Sequence, residues 1–235
     1  MLTIFLVQMI GAEINEEKTT KGMEIIISNV PAKVHFASKL IASNVFVIMQ
    51  SLILVVDAVI ALIIRIFSGN GAIGNMVEEL ELTGVVNSLT ESGVLDSLYY
   101  IIPITLVLML LTFIAYSLLA GVLASMTTNL EDFQQLQTPI VIISLLGYYL
   151  AMMAAMFDGS IFIRIASYIP FISSLLAPAL LLLGQIGVVD IIISIILLIG
   201  TIFLLYKYGL KIYKVGILNY SSTGLWKKMF KAIRS

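Results

Sequence analysis

The sequence predicts an all-α membrane protein, a polytopic bundle of transmembrane helices. Its 235 residues are 60% hydrophobic and only 11% charged, whereas a typical soluble domain carries about 25% charged residues. The mean hydropathy of +1.09 is too high for a soluble fold or a disordered chain. Apolar stretches of about 20 residues, enough for a helix to cross a bilayer, recur along the chain. We expect a single transmembrane domain over residues 1–235, with an inner-face amphipathic helix and an outer-face re-entrant helical hairpin.

Composition also narrows the chemistry open to this chain. It has a formal net charge of -1, no cysteine and a single histidine, His35. Without cysteine there is no disulfide and no thiol nucleophile, and one histidine leaves little room for zinc or triad chemistry. The phosphate-binding pattern G-x-x-x-x-G-K-[ST] does not occur. We therefore expect no cofactor, no metal site, no nucleic-acid partner and no enzymatic activity of its own.

The chain opens with an apolar segment, Met1–Ala12, that is short for a membrane span. As a helix it would rise about 18 Å, against a hydrocarbon core of about 30 Å. It lacks the basic start and small-residue cleavage pattern of a signal peptide. We expect the cytoplasmic end of a longer, truncated span; a short interfacial helix is the alternative.

Residues 13–39 form the predicted cytoplasmic region. Four charged residues share one face if this region is helical: Glu13, Glu17, Lys21 and Glu24. Glu17 and Lys21 then have the spacing of a favourable i,i+4 ion pair. An apolar stripe occupies another face: Met23, Ile26, Ile27 and Val30. The pattern is typical of a connector in water or at the membrane surface, or of a docking element for a cytoplasmic partner.

Four segments are predicted to span the membrane: 40–67, 98–126, 139–157 and 188–206. Pro139 is expected at the first position of the third helix, where its missing N–H has no cost. Asp57 is an ionisable residue within the first of these spans. Because burial in lipid is expensive, Asp57 is a candidate to bind a cation, relay a proton or pair with another helix. A hydrated position near the outer interface is the alternative.

Charge bias predicts the orientation. The tail 207–235 carries seven basic residues and no acid, which places it in the cytoplasm. The loop Ser68–Asp96 carries acids and no base, so we expect it outside: Glu78, Glu79, Glu81, Glu91 and Asp96. Three predicted spans lie between this loop and the tail, and an odd number places the two on opposite sides, so segment 161–187 cannot also cross completely. We expect a re-entrant hairpin there, two half-helices broken near Pro170 and Pro178.

These features resemble the type-2 ABC transporter permeases, and among them the NatB-like permeases of sodium exporters. Glu13–Ser28 is similar to the E-x-x-x-E-K-x-x-[RK]-x-x-E-x-[IL]-[IL] region of that family. Ala124–Pro139 is similar to the cytoplasmic loop before its fifth span, and Pro170 and Pro178 to its outer re-entrant hairpin. The similarity covers most of Ala12–Tyr213.

The resemblance implies the permease subunit of an ABC exporter that moves sodium or a small amphiphile by alternating access. It implies a separate cytoplasmic ATP-binding subunit and a second permease subunit, the same or different, in a bacterial or archaeal plasma membrane. It also implies that the sequence corresponds to the C-terminal half of a full permease. The residues implied to couple to the ATPase are Glu13, Glu16, Glu17, Lys18, Lys21 and Glu24.

One alternative from another functional class is an ion-coupled secondary transporter or channel that uses Asp57, since broken helices also occur in secondary transporters. An intramembrane enzyme has little support, because the sequence offers no Ser/His, Cys/His or paired-aspartate set.

Overall fold

The computed structural model describes residues 2–68, 95–157 and 159–218. Every regular element in these ranges is helical, which confirms the predicted all-α class. The elements are α1 (Leu2–Thr19), α2 (Gly22–Asn29), α3 (Ala32–Ser68), α4 (Leu95–Met126), α5 (Leu130–Met152), a 3-10 turn (Ala154–Phe157), α6 (Ile161–Ala166), α7 (Ser173–Leu182) and α8 (Val188–Gly216). Most acids of the predicted outer loop and the last four basic residues of the tail lie outside the described residues.

Four of the described helices are long and apolar enough to cross a membrane. They are α3, α4, α5 and α8, and each contains the start of one predicted span. The structure thus supports a multi-pass membrane protein. The third helix is Leu130–Met152, so the predicted helix start at Pro139 is wrong, and the last helix continues beyond residue 206 to Gly216. Where the spans meet the membrane surfaces stays a prediction.

Local capping explains the corrected start of α5. The Asn129 side chain accepts a hydrogen bond of 2.8 Å from the backbone N–H of Asp132, which satisfies a free donor of the first turn. The helix therefore begins at Leu130, and Pro139 lies inside it rather than at its first position. At the other end of the chain, α8 continues past 206 because Gly209, Ile212, Tyr213 and Gly216 are buried.

The central helix is α4, which contacts α1, α3, α7 and α8. Small residues allow α8 to approach it closely, as is common between helices in membranes. A Cβ added at Gly209 would lie 2.7 Å from Cγ2 of Val122, and one at Gly216 would lie 2.7 Å from the backbone oxygen of Ser125. The C-terminal ends of α4 and α8 therefore lie side by side.

Helix α1 is packed inside the bundle against α4 and α5. Its apolar face is fully buried and includes Leu6, Val7, Ile10 and Ile14. One continuous helix carries both the apolar start and the charged residues that follow, and the predicted membrane boundary between residues 12 and 13 stays a prediction. Ala12 and Glu13 are good helix formers, so nothing in that region interrupts the helix.

Segment 161–187 contains two short helices rather than one long helix. α6 and α7 are separated by residues 167–172, which include Pro170, while Pro178 lies inside α7. α6 is tied to the start of α8, because Arg164 Nη2 donates to Asp190 Oδ1 at 2.8 Å and Tyr168 OH donates to the same oxygen. Re-entry of this segment from the outer face stays a prediction.

Candidate coupling site

The predicted charged helix is divided in two by the structure. α1 ends at Thr19 and α2 begins at Gly22, with Lys21 between them in the left-handed region at φ 57. Thr19 and Thr20 direct their hydroxyls back to carbonyls four residues earlier, which is typical of threonine near a helix end. The four charged residues therefore do not share one helical face, and the predicted Glu17–Lys21 ion pair is wrong.

Glu17 instead belongs to a set of polar residues that joins α1, α3 and α8. We call Glu13, Glu17, His35, Lys39 and Tyr213 the charge cluster. Lys39 Nζ lies 2.5 Å from Glu13 Oε1 and 2.6 Å from Glu17 Oε1. His35 Nε2 lies 3.1 Å from Glu17 Oε2, and His35 Nδ1 is hydrogen-bonded to the Tyr213 hydroxyl at 2.8 Å.

Glu17 stays ionised at the centre of the charge cluster. Burial raises the pKa of its carboxyl group, but the contacts with His35 and Lys39 outweigh burial and hold the pKa below its usual value. The Glu17 side chain is only 19% exposed, so salt screens these pairs less than surface pairs. The charge cluster thus holds α1 and α3 together through partly buried ion pairs.

Lys18 lies inside the protein, with a relative exposure of 1%. Its ammonium donates to the backbone oxygens of Ser125 at 2.6 Å, Thr127 at 2.7 Å and Gly216 at 3.0 Å. These carbonyls lie at the C-terminal ends of α4 and α8, where helices leave carbonyl groups unpaired and favour a cation. Burial lowers the pKa of Lys18 to about 8, so the ammonium form still prevails at pH 7.

Lys18 is one of the six coupling residues that the resemblance implies, and the structure places it inside the protein. The other predicted coupling residues divide into two groups. Glu13 and Glu17 belong to the charge cluster, whereas Glu16, Lys21 and Glu24 are exposed. Whether any of the six couples to an ATPase stays a prediction.

Helix α2 has an inner and an outer side. Met23 is fully buried and Ile27 packs on the same core, so the predicted apolar stripe faces the protein. Ile25 on the outer side is 70% exposed, and Val34 at the start of α3 is 54% exposed. We call the exposed residues of this region the α2 surface: Glu16, Lys21, Glu24, Ile25 and Val34. Mixed charge around exposed apolar side chains is typical of a protein-binding patch.

Asp57 lies apart from the charge cluster. It follows Lys39 by 18 residues on α3, about 27 Å along the helix axis. Its side chain is exposed on a stretch of α3 where apolar side chains such as Val56 and Ile60 are also exposed. Within the described ranges it makes no hydrogen bond or ion pair. Each role considered for Asp57 stays a prediction.

Sequence reasoning missed the contributions of His35 and Tyr213 to this site. His35 and Lys39 are four residues apart and share a face of α3, a spacing visible in the sequence. That spacing indicates neither the acids they contact nor the helix that supplies them. Tyr213 lies 178 residues from His35 and has no sequence signal that links it to this site.

Comparison with known proteins gives one family and two relatives. ABC-2 family transporter proteins match residues 1–209. Uncharacterized protein YhaP of Bacillus subtilis (strain 168) is 28% identical over 236 residues, covering 98% of this chain and 52% of the relative. Uncharacterized protein MJ1024 of Methanocaldococcus jannaschii is 25% identical over 134 residues, 57% of this chain and 33% of the relative. The chain thus spans about half or less of these relatives. No solved structure matches significantly.

Proposed function

The chain belongs to the ABC-2 family of transporter proteins, and from this premise we propose that it is the permease subunit of an ABC exporter. ATP hydrolysis on a separate cytoplasmic subunit drives alternating access of the membrane helices. The Glu13–Ser28 motif supports placement near the NatB-like sodium exporters, with sodium or a small amphiphile as substrate. The basic tail supports a cytoplasmic C-terminus.

The observation that carries this proposal is the connection of the α1–α2 junction to three of the long helices, α3, α4 and α8. Lys18 bonds to the ends of α4 and α8, and the charge cluster joins α1 to α3 and α8. A force applied at α2 therefore reaches α1, α3, α4 and α8 through short polar contacts. Such a junction suits a segment that transmits the motion of a partner to a transport path.

The α2 surface is the proposed contact for the ATP-binding subunit. It combines exposed apolar side chains with charges of both signs, which favours a protein partner over anionic lipid; lipid attracts a basic face. Its inner side is fixed by buried Met23 and by the charge cluster. Docking on a rigid support transmits force better than docking on a flexible loop.

A second permease subunit is proposed to cover part of α3. The most apolar stretch of this helix is almost entirely exposed, with only 6% of its residues buried. A charged residue in a lipid-exposed helix costs about 3 kcal/mol near the bilayer centre. Asp57 lies on this exposed stretch, and contact with a second subunit would reduce that cost.

Co-purification tests the proposed coupling. The chain is isolated in mild detergent from its native membrane, and bound proteins carrying G-x-x-x-x-G-K-[ST] are quantified by mass spectrometry. We expect Lys21→Glu combined with Glu24→Lys to reduce the captured ATPase at least tenfold. Lys211→Glu, an exposed charge reversal on α8, serves as the matched control and should retain it.

Two results would count against the proposal. One is a folded wild-type chain that captures no such ATPase; the other is substrate transport by the purified chain in liposomes without an ATPase. Helix content by circular dichroism establishes folding in each variant.

A further inference from the structure

A cavity of about 250 Å³ lies between α1, α4, α5 and the α6–α7 segment. Most of its wall is apolar and includes Leu2, Met109, Phe113 and Leu175. A polar strip interrupts this wall, formed by Thr112 and Tyr116 of α4 and by Ser144 of α5. The two α4 residues are four positions apart and so lie on one face of that helix. None of the proposed coupling residues lines the cavity.

Thr112 contributes to this cavity a hydroxyl group whose hydrogen-bonding capacity is unused. Its relative exposure is 1%, and its Oγ1 has no hydrogen-bond partner among the described residues. Threonine in a helix normally donates to a carbonyl of the preceding turn. Thr105, two turns earlier on α4, does so: its Oγ1 donates to the Ile101 oxygen at 2.8 Å. A buried hydroxyl without a partner is costly, so the Thr112 hydroxyl is available to a ligand.

The other two hydroxyls of the strip are held in place. Ser144 Oγ donates to the Tyr116 hydroxyl at 2.8 Å, and the Tyr116 hydroxyl lies 3.4 Å from the backbone oxygen of Phe171. Phe171 has a φ of 75, unusual for a bulky residue, and lies between α6 and α7. Strained backbone of this kind is frequent at ligand sites. The polar strip is therefore pre-organised, with its unpaired hydroxyl at one end.

We propose that this cavity binds a small uncharged amphiphile whose hydroxyl group pairs with Thr112 Oγ1 and whose apolar body fills the rest. Among the residues that the structure describes, the lining includes no Asp, Glu, Lys or Arg. Its side-chain oxygens, including the hydroxyls of Thr3 and Ser174, are all uncharged, so no carboxylate offsets the cost of desolvating an ion there. An apolar cavity of about 150 Å³ holds benzene, so this larger one has room for an alkylphenol. Export of such a ligand rests on the proposed function; binding is tested on the chain alone.

The cysteine-free sequence permits a direct occupancy measurement. Ser174→Cys places one thiol in the cavity wall, and the rate of its modification by a maleimide reports occupancy. The probes are 4-propylphenol and propylbenzene, which differ only in the hydroxyl group. Thr201→Cys on α8, outside the cavity lining, corrects for partitioning of each probe into detergent.

We expect 4-propylphenol to protect the thiol at a concentration at least tenfold below that of propylbenzene. Thr112→Val should abolish this difference, because it replaces the unpaired hydroxyl by a methyl group. Thr105→Val, whose hydroxyl is satisfied within α4, should preserve it.

Three results would overturn the proposal: no protection by either probe, equal protection by both, or protection by NaCl but not by 4-propylphenol. The wild-type comparison of the two probes decides the matter even if Thr112→Val fails to fold. Failure of ATPase capture together with selective protection would reject the proposed coupling and leave the binding site standing.

Discussion

Replacing Lys18 by methionine tests whether its ammonium holds the ends of two membrane helices together. Methionine keeps the length and apolar stem of the side chain but removes every N–H donor. The backbone oxygens of Ser125, Thr127 and Gly216 would then lose the donor that now reaches them within 3.0 Å. Because Lys18 is buried, water has little access to replace it.

The expected loss follows from two opposing contributions. A hydrogen bond that involves a charged group contributes about 1.5–3 kcal/mol, and Lys18 makes three to these carbonyls. Burial of the ammonium opposes them: a fall in pKa from 10.5 to about 8 corresponds to about 3 kcal/mol. We therefore expect Lys18→Met to lower the free energy of unfolding by about 1.5–6 kcal/mol at pH 7.

The measurement is unfolding by SDS in mixed micelles at pH 7, followed by far-ultraviolet circular dichroism. Lys21→Met is the matched control, because Lys21 is exposed and its replacement should cost less than about 0.5 kcal/mol. If the two variants have equal unfolding free energies, the carbonyl contacts of Lys18 do not stabilise the fold and the reasoning fails.

Two further predictions concern the charge cluster and the contact between α4 and α8. Glu17→Gln should cost about 2 kcal/mol at pH 7 and Glu16→Gln almost nothing. The folded pKa of Glu17 is lowered, so its contribution to the free energy of unfolding is complete above the unfolded pKa of 4.5 and is lost as pH falls through the folded pKa. A difference between variant and wild type in SDS unfolding that does not change with pH would contradict this. Gly216→Ala should cost about 1–3 kcal/mol, because its Cβ would meet the Ser125 oxygen at 2.7 Å. Gly200→Ala on the same helix meets open space and should not destabilise, so equal melting temperatures would exclude the steric argument.

Local sequence signals predicted the helices better than their limits. The start of α5 is set by Asn129, a polar residue three positions before an acid, whose side chain caps the helix. Pro139 suggested a later start, but a proline can lie inside a helix when neighbouring helices compensate for the missing donor. The extension of α8 to Gly216 depends on burial of Gly209 and Tyr213, which no local signal shows.

The charge cluster illustrates why the candidate site was predicted only in part. Sequence spacing paired Glu17 with Lys21, since they are one helical turn apart. The helix ends between them, and Glu17 pairs with Lys39, 22 residues away on another helix. The choice between these partners depends on how α1 packs against α3.

Composition alone was sufficient for the helical class and the membrane environment, because a bilayer admits few structures and requires long apolar segments. Residue order was sufficient for the main helices and for the resemblance to the family. Packing decided the position of Lys18, whose three carbonyl partners come from two other helices. It also decided that Thr112 keeps an unpaired hydroxyl beside a cavity whereas Thr105 does not. A buried polar group forms hydrogen bonds with the helix that packs against it, and in this bundle the neighbouring helices are distant in sequence.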